Sequence, residues 1–147
     1  MIGVTSPAKS DKVKSLGAEQ VLTRTDDMLR TLGKNSADVV IDLVAGEGWP
    51  ALLDVLKPFG RYATSGAIAG AHVALDVRTL YLKDLSFYGC TVLDEGVFAR
   101  LVRRIESGEI LPVVEKSFPL DHIAEAQAYF ETKQHTGKLV MDLASGA

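Results

Sequence analysis

The apolar positions of residues 37–66 follow two different periods, which predict a strand, a helix and a second strand. Val39, Val40 and Ile41 form a continuous β-branched run, which is typical of a strand buried on both faces of a parallel sheet. Apolar residues at i, i+3, i+4 and i+7 indicate the helix, namely Trp49, Leu52, Leu53 and Leu56. The pattern therefore predicts a parallel strand-helix-strand crossover.

The polar and glycine positions of this unit predict where its elements end. Residues 57–60 are expected to end the helix, and residues 61–65 to begin the second strand. In parallel sheets, ligands bind outside the carboxyl ends of the strands. Those ends are residues 43–46 and 65–69, so the sequence predicts a ligand site there.

The rest of the chain continues the alternation of strands and helices. Further strands are expected at residues 2–5, 20–22, 85–92, 112–118 and 138–143. Further helices are expected at residues 7–16, 26–32, 79–83 and 96–107, with a last helix capped by Asp121. Ser6 is expected to cap the first helix, and Leu16, Phe98 and Phe130 lie at positions typical of core-facing side chains. This order predicts a doubly wound α/β fold.

Length and composition exclude several classes of protein and site. The 147 residues are 47% hydrophobic, which is enough for one globular domain and too much for a disordered chain. A net charge of −3 gives no reason to expect a nucleic-acid partner, and no apolar run is long enough to span a membrane. The single cysteine excludes an internal disulfide. These features predict a soluble cytoplasmic protein.

The start of the chain is unusual for a natural domain. Residues 2–5 have the pattern of a strand directly after Met1, whereas domains usually open with a few loosely ordered residues. We therefore expect the chain to be a fragment of a longer protein, or the product of a gene begun late.

Four stretches of the sequence together resemble one enzyme superfamily. They are IGVTSPAKSDKVKSLGAEQVL, ADVVIDLVAGEGWPALLDVLKPFGRYATSG, LSFYGC and SFPLDHIAEAQAYFETKQHTGKLVMDL. Their order and spacing resemble the second half of a medium-chain dehydrogenase/reductase, above all the zinc-free, NADPH-dependent quinone oxidoreductases and related enoyl or alkenal reductases. The resemblance implies a partial Rossmann cofactor-binding domain over residues 1–110. It implies that residues 111–147 are a strand-helix-strand segment of the GroES-like catalytic domain.

The sequence also departs from that superfamily. It contains no G-x-G-x-x-G turn, whose backbone amides would hold the cofactor pyrophosphate, and residues 2–5 correspond to the second Rossmann strand. We therefore expect a mostly parallel Rossmann-type sheet that lacks its first strand and exposes two inner strand edges. Cys90 and the three histidines (His72, His122 and His135) show no metal-ligand spacing, and the histidines are expected on the surface.

The end of the strand predicted at residues 2–5 bears on the choice of cofactor. NAD enzymes place a carboxylate there to bind the ribose 2′-hydroxyl, whereas this chain has Ser6, with Lys9 and Lys12 nearby. By resemblance, these groups and Arg24 would hold the 2′-phosphate of NADP(H). The alternative is that Ser6 is only a helix cap and that the lysines form a solvated face.

The resemblance assigns the nicotinamide and its ribose to the ends of three strands and to one lysine near the C-terminus. The residues concerned are Leu43, Val44, Ala45, Gly66, Ala67, Ile68, Gly89, Cys90 and Lys138. The alternatives are ordinary turn chemistry for the glycines and alanines, a small buried core side chain for Cys90, and a solvent-facing strand start for Lys138. No catalytic triad, carboxylate pair or metal arrangement is present in the sequence pattern, so no catalytic residue is predicted.

Three functions stay open at this point. The resemblance implies part of an NADP(H)-dependent oxidoreductase that transfers a hydride to a quinone, an enone or a similar carbonyl substrate. As an isolated chain it would be inactive, because positioning both reactants is most of the catalysis. The second function is a non-catalytic α/β module that forms homo-oligomers through its strand edges. The third is a methyltransferase-like nucleotide binder, which fits the α/β pattern but not the closing G-K-L-V of residues 137–140.

Overall fold

A computed structural model describes residues 1–143 of the chain. Its strands are β1 (Ile2–Thr5), β2 (Gln20–Thr23), β3 (Ala37–Asp42), β4 (Leu56–Thr64), β5 (Ser86–Gly89), β6 (Val114–Pro119) and β7 (Lys138–Asp142). Its α-helices are α1 (Ser10–Ser15), α2 (Met28–Leu32), α3 (Trp49–Val55), α4 (Val77–Leu82), α5 (Val97–Glu106) and α6 (Ile123–Glu131). Short 3₁₀ turns precede α1 and α6, at Pro7–Lys9 and Leu120–His122. The expected alternation of strands and helices is confirmed.

All the strand pairs in this part of the chain are parallel, and they form three sheets. β1 pairs with β2, the strands β3, β4 and β5 form a sheet in that order, and β6 pairs with β7. Parallel neighbours joined through helices are typical of α/β folds, so the predicted fold class is confirmed. Within residues 1–143, β1 and β3 each have a partner strand on one side only. Both therefore present an open edge, as expected for a Rossmann-type sheet without its first strand.

The main core lies between the three-stranded sheet and the helices α3 and α4. It is formed by Trp49, Leu53, Leu56, Tyr62 and Leu85, none more than 9% exposed. The rings of Trp49 and Tyr62 meet edge to face with their centroids 5.6 Å apart, a favourable aromatic geometry. This packing fixes the sheet against its helices and so determines where the ends of β3 and β4 lie.

The opposite face of the three-stranded sheet is bare. Val39 and Ile41 are 43% and 78% exposed, so the prediction that β3 is buried on both faces is wrong. The physical reason is that α3 and α4 pack on the other face, where Val40 joins the core. In the part of the chain that the structure describes, no helix buries Val39 and Ile41.

The strand β4 begins earlier than the sequence pattern predicts. Leu56 was expected on the helix, but it is the first residue of β4 and is fully buried. Residues 57–60, expected as a turn, lie inside the strand, with Phe59 at a φ of +64°. The apolar spacing continues through Leu56 because that side chain packs in the same core as α3, and not because the helix continues.

The two expected helix caps are wrong, and a third residue, which was not predicted as a cap, does cap a helix. Ser6 makes no side-chain capping hydrogen bond, and Asp121 lies inside the 3₁₀ turn that precedes α6. Asp27 does cap α2, since its carboxylate accepts a hydrogen bond from the Arg30 amide at 3.0 Å.

Several apolar side chains at core-type positions are exposed instead. Leu16, Phe98 and Phe130 are 48%, 71% and 50% exposed, so their predicted burial is wrong. For Phe98 the reason is that no described element covers its side of α5. None of the described helices reaches the length and apolarity that a membrane crossing requires.

Candidate functional site

The carboxyl ends of β3 and β4 lie side by side, and the loops that follow them interlock. Asp42 and Thr64, the last residues of the two strands, are partners in the parallel register. The Ala69 amide donates a hydrogen bond to the Val44 carbonyl at 2.9 Å, and the Ser65 amide donates one to the Asp42 carbonyl at 3.3 Å. The two strand ends that the sequence singled out therefore form one continuous surface, which we call the strand-end surface (residues 43–46 and 65–70).

Glycines allow the two loops to approach this closely. A Cβ atom on Gly66 would lie 2.8 Å from the Leu43 carbonyl oxygen, and one on Gly46 would lie 3.0 Å from the Cβ of Ala69. Gly46 also has a φ of +77°, a conformation that favours glycine. The glycines are thus explained by the contact between the loops, before any ligand is considered.

The end of β5 extends the strand-end surface into a cleft. The Cys90 amide donates a hydrogen bond to the Thr64 carbonyl at 2.8 Å, which brings residues 89–92 beside residues 64–67. The two segments line an open cleft of about 530 Å³, a volume typical of small-molecule sites. A Cβ atom on Gly89 would meet nothing within 4 Å. The Cys90 side chain is exposed, so the alternative that Cys90 is a small buried core residue is wrong.

A buried carboxylate lies directly behind the strand-end surface. Asp42 is 6% exposed, and its Oδ1 atom accepts hydrogen bonds from the amides of Val44 at 2.8 Å and Ala45 at 3.2 Å. Its Oδ2 atom accepts a hydrogen bond from the Tyr62 hydroxyl at 2.7 Å. Burial first, and then the hydrogen bond to Asp42, raise the pKa of Tyr62 above its ordinary value.

Sequence reasoning missed this pair. Neither Asp42 nor Tyr62 was predicted to have a role in a site. A signal was present, since an aspartate that ends a strand commonly accepts hydrogen bonds from amides two or three residues later. The tyrosine carried no such signal, because its contact with Asp42 comes from the parallel register of β3 and β4.

The residues predicted to hold a 2′-phosphate form a second group, at the ends of β1 and β2. The Arg24 amide donates a hydrogen bond to the Thr5 carbonyl at 3.2 Å, which places Arg24 beside Ser6 at one end of that sheet. The Arg24 side chain is exposed. Lys9 is half-buried, and its ammonium donates a hydrogen bond to the His135 carbonyl. Arg24 is therefore the more accessible of these two cations.

The other predicted residues lie outside both groups or at their margins. Ile68 is 87% exposed in the loop after β4, at the edge of the strand-end surface. Lys138 is the exposed first residue of β7, which belongs to the β6–β7 sheet and not to the three-stranded one. His72 and His122 are exposed as expected, whereas His135 is half-buried and stacks on Phe130 with the ring centroids 4.9 Å apart.

The described residues do not provide a metal site. Among residues 1–143, no three histidine, cysteine, aspartate or glutamate side chains lie close enough together to hold a metal ion. A structural or catalytic zinc needs three or four such ligands. The donor set of the described residues does not fit zinc.

Comparison with known proteins gives consistent matches over nearly the whole chain. A family model described as zinc-binding dehydrogenase matches residues 16–141. The NADPH-dependent alkenal/one oxidoreductase of Arabidopsis thaliana chloroplasts is 30% identical over 141 residues, covering 92% of this chain and 32% of that protein.

Two solved structures also match nearly the whole chain. A Sinorhizobium meliloti 1021 protein, assigned provisionally as an alcohol dehydrogenase, superimposes with a TM-score of 0.81 at 41% identity, over 96% of this chain and 41% of that one. The Bacillus subtilis protein yhfP with NAD bound superimposes with a TM-score of 0.79 at 25% identity, over 97% of this chain and 46% of that one. The chain thus spans less than half the length of each of these relatives.

Proposed function

The chain belongs to the zinc-binding dehydrogenase family of the medium-chain dehydrogenase/reductase superfamily, and we propose that it holds the nicotinamide end of NADP(H). An enzyme that contains this chain would transfer a hydride from the cofactor to an enone, a quinone or a similar carbonyl compound. The proposal rests on one observation above the others. The ends of β4 and β5 line an open cleft, and the end of β3 lies beside the end of β4, at the sheet edge where open parallel sheets bind nucleotides.

The lining of the cleft suits a flat heteroaromatic ring. Gly66, Ala67 and Gly89 present little or no side chain, so a ring could lie close to the backbone of both loops. Leu43 and Val44 are 56% and 37% exposed beside it, and a bound nucleotide would cover these apolar side chains. Covering them would remove apolar surface from water and so favour binding.

The chain's own residues would position and shield the cofactor, and none would supply a proton or a nucleophile. When bound, the nicotinamide supplies the hydride. The loops at residues 43–46 and 65–70 would fix the ring's orientation through backbone contacts, since hydrogen bonds between them hold both in place. Fixed positioning of this kind is a major contribution to catalysis by two-substrate enzymes.

We propose a preference for NADP(H) over NAD(H). Arg24 is exposed at the end of the β1–β2 sheet beside Ser6, where no carboxylate replaces the serine. A guanidinium binds phosphate well, whereas a carboxylate at this position would repel it. The Arabidopsis relative is named as NADPH-dependent, which supports the same choice. Lys9 would contribute only by exchanging its bond to the His135 carbonyl for the phosphate.

We further propose that residues 1–110 form part of the cofactor domain and that residues 111–147 belong to a catalytic domain. The separate β6–β7 sheet supports this division. The described residues offer one wall of a reaction site, so we expect the 147-residue chain to bind the cofactor weakly and to turn over no substrate.

Ligand-observed NMR with NADPH and NADH tests the proposal on the chain itself. We expect saturation transfer to the nicotinamide protons of NADPH, and affinity for NADH lower by about tenfold, which corresponds to about 1.4 kcal/mol. Arg24→Gln should abolish that preference, and Arg30→Gln, at an exposed position of α2, serves as a charge-matched control. No transfer from either cofactor would contradict the proposal. Robust oxidation of NADPH by 1,2-naphthoquinone would contradict the expected inactivity.

A second candidate function, the homo-oligomeric module, is favoured by the open edges of β1 and β3. Unpaired backbone amides and carbonyls on such edges readily pair with another chain. We propose that the chain associates with its own copies through these edges. Light scattering coupled to size exclusion should then give a dimer or a larger species, whereas a monomer at micromolar concentration would count against this candidate.

A further inference from the structure

The one buried acidic or basic side chain among residues 1–143 lies behind the proposed nicotinamide site. Asp42 is 6% exposed and is the last residue of β3. A buried carboxylate is costly unless hydrogen bonds satisfy it, and here the partners are two backbone amides and one phenol. Because a leucine or valine could fill the same space without that cost, packing alone does not account for an acid at this position.

The backbone that Asp42 holds is the part of the strand-end surface that needs support. Ala45 has a φ of +53°, in the left-handed region that disfavours residues with a Cβ atom. The Asp42 carboxylate accepts hydrogen bonds from Val44 and Ala45, so it stabilises this conformation directly. The Val44 carbonyl in turn accepts the Ala69 amide at 2.9 Å. The carboxylate therefore determines the shape of both loops.

Tyr62 holds the carboxylate itself in place. It is 4% exposed, and its ring packs against Trp49 and Phe87 with centroid separations of 5.6 and 5.4 Å. Aromatic neighbours on two sides leave the ring little freedom, so the hydroxyl is fixed where it donates to Asp42 at 2.7 Å. The orientation of the carboxylate is thus determined by the aromatic core.

We propose that Asp42 and Tyr62 are positioning residues for nicotinamide binding, an inference that rests on the proposed function. Neither residue needs to touch the cofactor. Asp42 would preorganise the backbone of residues 43–45 in the conformation that accepts the ring and its ribose, and Tyr62 would fix Asp42. Preorganisation lowers the ordering cost of binding, and it should act on the nicotinamide half of the dinucleotide alone.

Binding of two half-cofactors distinguishes this positioning role from a general role in stabilising the fold. Reduced nicotinamide mononucleotide probes the ends of β3, β4 and β5, and adenosine 2′,5′-bisphosphate probes the ends of β1 and β2. In titrations of the ¹⁵N-labelled chain, the affinity for reduced nicotinamide mononucleotide should fall about tenfold in Asp42→Asn and about threefold in Tyr62→Phe. The affinity for adenosine 2′,5′-bisphosphate should change less than about twofold in both variants. Amide hydrogen exchange at Val44 and Ala45 should also accelerate in both variants.

Phe118→Leu is the matched control. Phe118 is 2% exposed on β6, so this variant perturbs a buried aromatic residue on a different sheet and should leave both affinities unchanged. If both variants bind reduced nicotinamide mononucleotide as well as the unaltered chain does, the inference is overturned and the proposed function stands. An equal loss of affinity for both ligands would also overturn the inference, because it would indicate that the substitutions destabilise the whole fold. If the unaltered chain binds neither ligand, the proposed function fails and the inference fails with it.

Discussion

Lys83→Met should destabilise the fold more than the loss of an exposed surface lysine normally does. Lys83 follows α4, and its ammonium donates hydrogen bonds to the carbonyls of Leu53 at 2.9 Å, Asp54 at 3.0 Å and Leu56 at 2.8 Å. The first two carbonyls belong to the last turn of α3, where no intrahelical donor is available, and the third belongs to Leu56, the first residue of β4. One lysine therefore caps the helix that carries Trp49 and Leu53 in the core.

The expected magnitude follows from opposing contributions. A hydrogen bond to a charged group contributes about 1.5–3 kcal/mol net, and a cation at a helix C-terminus adds about 0.3–1 kcal/mol. Burial lowers the pKa of Lys83, which shows that desolvation of the ammonium offsets part of this gain. We therefore expect Lys83→Met to lower the free energy of unfolding by about 2 kcal/mol.

Lys57→Met is the matched control, because Lys57, like Lys83, makes its polar contact through its ammonium group. Its partner is the exposed carboxylate of Asp38 at 2.8 Å, and such surface ion pairs contribute about 0–1 kcal/mol. Urea unfolding followed by far-ultraviolet circular dichroism measures both variants. Equal effects of Lys83→Met and Lys57→Met would refute the reasoning that the Lys83 ammonium stabilises the junction between α3 and β4.

Three further predictions concern the candidate site. Gly66→Ala should lower the free energy of unfolding by about 1–3 kcal/mol in urea melts, because its Cβ would lie 2.8 Å from the Leu43 carbonyl oxygen. Gly89→Ala should leave the free energy of unfolding unchanged, because its Cβ would meet nothing within 4 Å. A larger loss for Gly89→Ala than for Gly66→Ala would contradict the loop geometry. Tyr62 has its pKa raised above 10.0 by burial and by Asp42, so the stability it contributes is present below pH 10.0 and is lost as pH rises through the raised value. Alkaline titration followed at 295 nm should show Tyr62→Phe losing a component above pH 10.0, and an unchanged titration would contradict that environment. Arg24→Gln should remove the preference for NADPH over NADH, as measured by saturation transfer, and retention of the preference would exclude Arg24 from the phosphate site.

Local sequence patterns predicted the helices and strands that have a single apolar periodicity and a residue that ends it. The β-branched run at residues 39–41 predicted β3, and the helix predicted at residues 26–32 includes the observed α2, Met28–Leu32. The adjacency of the ends of β3 and β4 was also predictable, since a parallel crossover places both carboxyl ends at one edge. These features depend on neighbours in sequence, which is the information that a periodicity contains.

Features that depend on distant neighbours could not be predicted in the same way. The exposure of Ile41 and Phe98 depends on which elements cover them, and an apolar pattern indicates only that a surface can be buried. The Asp42–Tyr62 pair depends on the register between β3 and β4. The hydrogen bond from Lys9 to the His135 carbonyl joins residues 126 positions apart, and no local signal indicates it.

Chemical-shift mapping of the ¹⁵N-labelled chain with NADPH tests the central claim most directly. If the strand-end surface is the nicotinamide site, the amides of Val44, Ala45, Ala67 and Gly89 should shift together and saturate with a single dissociation constant. Shifts that saturate on α5 or on the β6–β7 sheet, with the amides at the ends of β3, β4 and β5 unmoved, would contradict the account.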